Sequence, residues 1–343
     1  MASSHIILVH GRSTKPSARE KRRLAFKALC HGVGRVSDSA FTALEESDVS
    51  LTLAYYGDIS NRILGKNHHP LLTERDPEYD WVPCEQDGYY DASLSASFAR
   101  SNDEFTEGHY AQLLKDEKDR RFVDELAAIA SRIAEPLGLN GLLVRHSSPD
   151  LGAYFSNPKI GEKIRGRVRA PLMKALRAGD RICLVAHSMG CLVTYDTLWQ
   201  ISRDPEFQEL HARTGCVVEL MLTFGNPLGE PGVRANLLDS QLPASQHFPR
   251  GILHNWINIS AEDDYIAHDK TVADDYRDML EHGHLHRIID RPSIYNFWVH
   301  RRHSNPHKLY GYLDHPVVGA EIARWILGYK PKDPGLPRSL AGR

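Results

Sequence analysis

The sequence predicts an α/β fold: a mostly parallel central sheet of about six strands with helices on both faces. Short apolar runs rich in aliphatic and β-branched residues alternate along the chain with segments of helical periodicity. The clearest of these runs, residues 181–186, is almost continuously apolar, which is typical of a strand covered on both faces. The chain also begins with strand, helix and strand, an order that by default forms a right-handed parallel crossover.

The predicted strands are short and are separated by helices or long connections. They comprise residues 6–9, 51–55, 181–186, 216–224, 255–260 and 287–289. Ligands of open α/β sheets bind just beyond the carboxyl ends of the strands. Candidate functional residues are therefore expected in the segments that follow these strands.

The apolar spacing between the strands predicts several helices. One charged helix extends from about 18 to about 29, and a second covers 160–176, where Pro171 is expected to kink it. The final helix begins around Pro316, with Asp314 placed to cap its N-terminus. Together these elements predict a single domain over 1–330, followed by a Pro- and Gly-rich tail, 331–343, that is expected to fray.

A long segment between the second strand and the 160–176 helix breaks the alternation. From 59 to about 118 it is polar and interrupted by prolines, yet it contains several aromatic residues. Long irregular segments in compact domains are usually functional lids or disordered. We expect an inserted lid or cap region over 59–148, and the alternative is an excursion with a small cluster of its own.

Composition excludes several classes of protein. The 343 residues are 41% hydrophobic and 25% charged with a formal net charge of −2, which gives no electrostatic case for nucleic acid or anionic lipid. No apolar stretch approaches the roughly 18 residues that span a membrane, and the N-terminus lacks a basic signal region. The five cysteines are odd in number without CxxC spacing, so we expect reduced thiols and a cytoplasmic location. The oligomeric state stays open.

The strongest local pattern surrounds Ser188. The strand 181–186 ends there, and apolar residues at helical spacing follow at once. Ala186 and Gly190 lie two residues before and after the serine, where only small side chains leave room for close backbone. This pattern predicts a nucleophile elbow, a sharp strand-to-helix turn that presents a reactive serine.

A serine hydroxyl needs a base to accept its proton and a carboxylate to orient that base. In the elbow architecture the chain order is nucleophile, acid, histidine. The acidic loop after 255–260 supplies Asp264 as the predicted acid, with Asp263 and Asp269 as alternatives. The segment before the final helix supplies His307 as the predicted base, with His303 as its competitor.

The oxyanion of an acyl-transfer intermediate needs hydrogen-bond donors, each contributing roughly 3 kcal/mol. One predicted donor is the N–H of Met189, at the N-terminus of the helix after Ser188. The other is the N–H of Arg12, because Gly11 after the first strand lets the backbone turn inward. Gly11 and His187 are expected to line the substrate site.

Histidines elsewhere in the chain invite a metal interpretation. His282, His284 and His286 alternate beside Glu281, but this spacing in a polar linker fits a solvated loop better than a metal site. We therefore predict neither a metal nor a cofactor.

Three motifs in this order resemble a known family. His10-Gly11 follows an N-terminal strand, A-x-S-x-G spans 186–190, and an NPHxxxGYLxHP-like segment spans 305–316. The chain resembles α/β-hydrolase fold serine hydrolases on the lipase/esterase side, over 6–56 and about 150–327. It departs from their pattern at Ala186, where Gly is usual, and at Tyr265, where Pro is frequent.

The resemblance implies a Ser188, His307 and Asp264 triad with Met189 and Arg12 as oxyanion donors. It implies cleavage of a small-molecule ester or lipid through an acyl-enzyme. A thioesterase, an amidase or peptidase, and a non-catalytic binding or scaffold protein of the same fold are the alternatives, because a fold does not fix its substrate.

Overall fold

The computed structural model describes residues 3–66, 149–261, 264, 269–294, 296, 298–300 and 303–328. Within them lies an all-parallel six-stranded sheet of order β2-β1-β3-β4-β5-β6. The strands are β1 Ser4–Val9, β2 Val49–Ala54, β3 Arg181–His187, β4 Val218–Phe224, β5 Leu253–Ala261 and β6 Arg287–Ile294. The predicted α/β class and parallel sheet are confirmed, and each predicted strand overlaps an observed one.

Helices connect the strands and follow the last one. They are α1 Ala18–Gly34, α2 Asp38–Glu45, α3 Gly57–Lys66, α4 Pro149–Ser156, α5 Pro158–Ala178, α6 Met189–Ile201, α7 Pro205–Thr214, α8 Pro231–Arg234, α9 Arg277–Glu281, α10 Leu309–Leu313 and α11 Pro316–Ile326. Short 3-10 turns occupy Pro227–Gly229 and Ala244–Gln246, and a small antiparallel pair joins β7 Val299–His300 to β8 His303–Ser304.

Three sequence expectations differ from this structure or fall outside it. The irregular segment does not start at 59, because α3 continues to Lys66 with Ile59 packed on the core and Leu64 buried. The cap of α11 is His315, whose side chain accepts a hydrogen bond from the Val317 N–H; Asp314 instead contacts His31 of α1. The lid prediction for 67–148 and the tail, 331–343, lie outside the described residues.

Two apolar clusters cover opposite faces of the sheet, because neighbouring strand residues point to alternate sides. In β1, Ile7 and Val9 belong to the cluster that includes α5 and α6 residues, whereas Ile6 and Leu8 belong to the cluster of α1, α2 and α11 residues. Helix α5 runs through Pro171 without interruption and buries one apolar face. The helices therefore enclose a sheet that is buried on both faces.

The sheet changes direction at β1, where β2 pairs on one side and β3 on the other. The helix that follows β1 packs on one face of the sheet, and the helix that follows β3 packs on the other. Such a switch point leaves a crevice at the carboxyl ends of the two strands, where α/β proteins bind ligands. Gly11 and Ser188 follow these two strand ends.

Two further observations concern the helices and the cysteines of the described residues. Among the described helices, none combines the length and apolar character needed to cross a membrane. The four described cysteines, Cys30, Cys183, Cys191 and Cys216, are free thiols.

Helices α1 and α11 pack with their backbones in contact. A Cβ built at Gly319 would lie 2.1 Å from the Gly32 carbonyl oxygen, and a Cβ built at Gly32 would lie 2.2 Å from that of Leu313. Only glycines allow this approach, and interiors packed this tightly do not absorb an added methyl group. The contact fixes α10 and α11 against the sheet.

Gly319→Ala is expected to lower the free energy of unfolding by about 1–3 kcal/mol, because the methyl group would overlap the Gly32 carbonyl. Gly166→Ala is the matched control in α5, where a Cβ meets nothing within 4 Å. That change should raise stability by about 0.5–1 kcal/mol. Urea denaturation measures both values, and equal effects would contradict the close α1–α11 contact.

Candidate active site

Ser188 occupies a strained turn between β3 and α6. Its φ of 55° and ψ of −128° lie where residues other than glycine are rare. Its N–H donates to the Phe224 carbonyl at 2.9 Å, which ties the turn to β4. A Cβ built at Gly190 would lie 2.6 Å from the Val9 carbonyl oxygen, so a larger residue there would push α6 away from β1.

His307 lies between the serine hydroxyl and a carboxylate. Its Nε2 is 2.8 Å from Ser188 Oγ, and its Nδ1 is 2.8 Å from both carboxylate oxygens of Asp264. Because a carboxylate only accepts hydrogen bonds, Nδ1 carries the ring proton and Nε2 accepts from the serine. All three side chains are buried, with Asp264 only 1% exposed.

The alternatives for acid and base are placed as follows. Asp263 lies outside the described residues. Asp269 directs Oδ1 to the Thr271 N–H and hydroxyl, and its side chain packs on Gly229. His303 is in β8, but its side chain lies outside the described part of the chain. The structure therefore brings together Ser188, His307 and Asp264.

Tyr312 of α10 also hydrogen-bonds to Asp264. Its hydroxyl donates to Asp264 Oδ2 at 2.7 Å and accepts from the Ala261 N–H at 2.9 Å. Its ring stacks on Phe224, with ring centroids 5.4 Å apart and an interplanar angle of 4°. Sequence reasoning assigned no role to Tyr312, although this residue lies in the 305–316 segment, because residue spacing does not indicate which side chain its hydroxyl contacts.

Sequence reasoning also assigned no role to Gly225. Its φ is +49°, and a Cβ built there would lie 2.7 Å from Asp264 Oδ2, His307 Cε1 and His307 Nδ1. The backbone after β4 is therefore in close contact with the side chains of His307 and Asp264. The detectable signal was a glycine directly after the predicted strand 216–224, at a strand end where functional residues are expected.

The loop that carries His307 is fixed through three consecutive carbonyls. The Asn296 side chain, fully buried, donates to the Pro306 and Lys308 carbonyls at 2.7 and 2.9 Å. His187 Nε2 is 2.6 Å from the His307 carbonyl, and since a carbonyl only accepts, this nitrogen carries a proton. The structure thus places His187 against the loop that carries His307. The role of His187 in substrate binding stays a prediction.

Gly11 places the loop after β1 against the serine. A Cβ built at Gly11 would lie 2.9 Å from Ser188 Cβ and 3.0 Å from His187 Nδ1. Arg12 is the next residue, so its backbone belongs to the same corner. On the other side, Met189 is the first residue of α6, and the first N–H groups of a helix have no acceptor within that helix. Their dipoles favour negative charge at this position.

Cys191 lies one turn into α6, close to the serine. Its Sγ donates to the Phe224 carbonyl at 3.8 Å, and burial raises the pKa of this thiol well above its usual value. A neutral, buried thiol is a poor nucleophile. Cys191 is therefore a weaker candidate nucleophile than Ser188.

The three histidines considered for a metal do not converge. His282 and His284 stack on each other, whereas His286 stacks on His254 of β5 with ring centroids 4.5 Å apart. Among the described residues, no group of three His, Cys, Asp or Glu side chains is arranged to hold a metal ion.

The arrangement can increase the nucleophilicity of a buried serine. When the Ser188 hydroxyl attacks an electrophile, His307 Nε2 is in position to accept its proton, and Asp264 stabilises the resulting imidazolium. The helix N-terminus adjoins the point where negative charge would develop. These are the elements of acyl-transfer chemistry.

Comparison of the chain with protein-family models, with curated proteins and with solved structures gave no match. The assignment of a function therefore depends on the geometry of the site alone.

Tyr312→Phe is expected to lower the free energy of unfolding by about 1–3 kcal/mol, because the buried Ala261 N–H loses its acceptor. Tyr276→Phe is the matched control: that tyrosine is also buried, but its hydroxyl makes a longer, 3.3 Å bond to the Leu228 carbonyl. Urea denaturation should show the larger loss for Tyr312→Phe. A larger loss for the control would contradict the double role of the Tyr312 hydroxyl.

Proposed function

We propose that the protein is a serine hydrolase of the α/β-hydrolase type that cleaves a carboxylic ester through an acyl-enzyme. The observation that carries this proposal is the continuous hydrogen-bonded chain from Ser188 through His307 to Asp264, each step 2.8 Å long. Its position at the switch point of a parallel sheet agrees with where α/β enzymes bind substrates. The substrate class is a small-molecule ester or lipid.

In the first half-reaction, Ser188 Oγ attacks the ester carbonyl carbon while its proton moves to His307 Nε2. The carbonyl oxygen becomes an oxyanion, and the tetrahedral intermediate then expels the alcohol, which takes the proton from His307. The acyl group remains on the serine. Asp264 keeps the imidazole in the required tautomer and orientation throughout.

In the second half-reaction, His307 removes a proton from water, and the resulting nucleophile attacks the acyl-enzyme carbonyl. A second tetrahedral intermediate collapses with return of the proton to Ser188 Oγ and release of the carboxylic acid. The N–H groups of Arg12 and Met189 stabilise the oxyanion in both halves. A donor aimed at the oxyanion acts mainly on kcat, because the interaction strengthens in the transition state.

Ser188→Ala is expected to reduce kcat/KM for short p-nitrophenyl esters by about 10⁴-fold or more, because no other nucleophile takes its place. The variant should also lose labelling by a fluorophosphonate probe. Ser245→Ala, at an exposed serine far along the chain, is the control and should retain both activities. Unchanged ester turnover in Ser188→Ala would rule out the proposed function.

Gly225→Ala is expected to reduce kcat by about 10²-fold, because a methyl group would displace the Asp264–His307 pair from its place beside Ser188. Gly215→Ala is the matched control: this glycine also has positive φ, at +67°, but a Cβ there meets nothing within 4 Å. The control therefore carries the backbone strain without the contact. Equal kcat values for the two variants would show that Gly225 does not support the pair.

A further inference from the structure

Two buried charged residues outside the triad bind the loop after β1: Lys15 belongs to that loop, and Asp150 comes from α4. Lys15 is 4% exposed and Asp150 is 1% exposed. Burying a charged side chain is costly unless hydrogen bonds compensate, so the hydrogen-bond partners of Lys15 and Asp150 indicate their structural role. Both contact the same peptide unit.

That unit is the peptide between Arg12 and Ser13. Lys15 Nζ donates to its carbonyl oxygen, on Arg12, and Asp150 Oδ2 accepts from its N–H, on Ser13, at 2.7 Å. Hydrogen bonds to charged groups are the strong ones. The plane of this peptide is thus fixed from both sides.

The preceding peptide, between Gly11 and Arg12, is fixed separately. His10 Nδ1 donates to the Gly11 carbonyl at 2.8 Å, and the Tyr56 N–H donates to His10 Nε2 at 3.1 Å, which assigns the proton to Nδ1. In a trans peptide the N–H points opposite to the carbonyl. The Arg12 N–H is therefore directed away from the His10 ring.

The two peptide planes meet at the Arg12 Cα, so fixing both sets the φ and ψ of Arg12. The conformation carries strain, because Ser13 has φ of 74°, in the left-handed region that side chains disfavour. Strain of this kind persists only where neighbours impose it. The Asp150 bond to the Ser13 N–H is such a constraint.

Lys15 is itself held by α3. Asn61 accepts from the Lys15 N–H and donates to the Lys15 carbonyl, both at 2.8 Å. A Cβ built at Gly57, the first residue of α3, would lie 2.7 Å from Lys15 Cβ. Asp150, at the start of α4, also accepts from the Leu151 N–H at 3.0 Å. We call Lys15 and Asp150, with their bonds to the Arg12–Ser13 peptide, the clamp; α3 supports Lys15, and α4 carries Asp150.

We propose that Lys15 and Asp150 are positioning residues that keep the Arg12 N–H aimed at the oxyanion of the ester-cleavage reaction. This inference rests on the proposed function and assigns a role to two residues outside the triad. If the clamp is released, the peptides on either side of Arg12 can rotate and the donor leaves its position. The expected result is a loss of transition-state stabilisation with little change in ground-state binding.

The test compares three single-substitution variants of the 343-residue chain. Lys15→Met and Asp150→Ala should each reduce kcat for p-nitrophenyl acetate by about 10–10²-fold, below the 10²–10³ expected for complete loss of one donor, with KM nearly unchanged. Asp150→Asn keeps an oxygen for the Ser13 N–H and should retain kcat within a few-fold. Inhibition by an alkylboronic acid, which forms a tetrahedral adduct on serine, should weaken in parallel with kcat.

Lys163→Met is the matched control on the exposed face of α5 and should change neither kcat nor boronic-acid inhibition. Thermal unfolding and active-site titration correct for any loss of folded protein, and Lys15→Met carries the test if Asp150→Ala does not fold. The clamp proposal alone would be overturned if Lys15→Met and Asp150→Ala kept wild-type kcat and wild-type boronic-acid inhibition while Ser188→Ala was inactive. Wild-type protein without Ser188-dependent hydrolysis would overturn the proposed function and the clamp together.

Discussion

The two hydrogen bonds of the His307 ring are the constraint on which the rest of the site depends. The ring must meet Ser188 Oγ with one nitrogen and Asp264 with the other, and these residues come from chain segments more than forty residues apart. A ring can satisfy both only if its backbone is held in place. Asn296 and His187 provide this by binding the carbonyls at 306–308, and the α1–α11 contact holds the helices that follow.

The site repeats one structural solution on both sides of the serine. The loops that carry His307 and Asp264, and the loop after β1, each have peptide groups that hydrogen-bond to buried polar side chains. Asn296 bonds to the loop that carries His307, and Tyr312 bonds to Asp264. Lys15 and Asp150 bond to the loop after β1. Preorganised groups of this kind need no rearrangement when charge develops, and this is the main source of electrostatic catalysis. Two glycines let the backbone approach these side chains closely: Gly11 lies against Ser188, and Gly225 lies against His307 and Asp264.

Much of the fold could be predicted because burial on both faces leaves a strong local pattern. The strand at 181–186 is apolar throughout, and Ser188 interrupts it where a helical pattern begins. The start of α3 was harder to predict, since a short helix after a strand end resembles the polar segment that follows it. The cap of α11 was assigned to Asp314 because aspartate is a good cap, but that carboxylate is engaged by His31 across the α1 interface. A contact between residues 283 positions apart leaves no trace in local spacing.

The sequence by itself determined the elements and the order of the candidate groups, since strand burial, helical spacing and small residues around a turn are local properties. It also left Asp263, Asp264 and Asp269 open, because adjacent carboxylates in one loop have nearly the same local pattern. The tertiary structure decided which carboxylate reaches His307: the β4, β5 and α10 elements place Asp264 between Gly225 and Tyr312. Only tertiary structure could reveal Tyr312, Asn296, Lys15 and Asp150 as supports, because the positions of the groups that they bind depend on packing of the whole sheet.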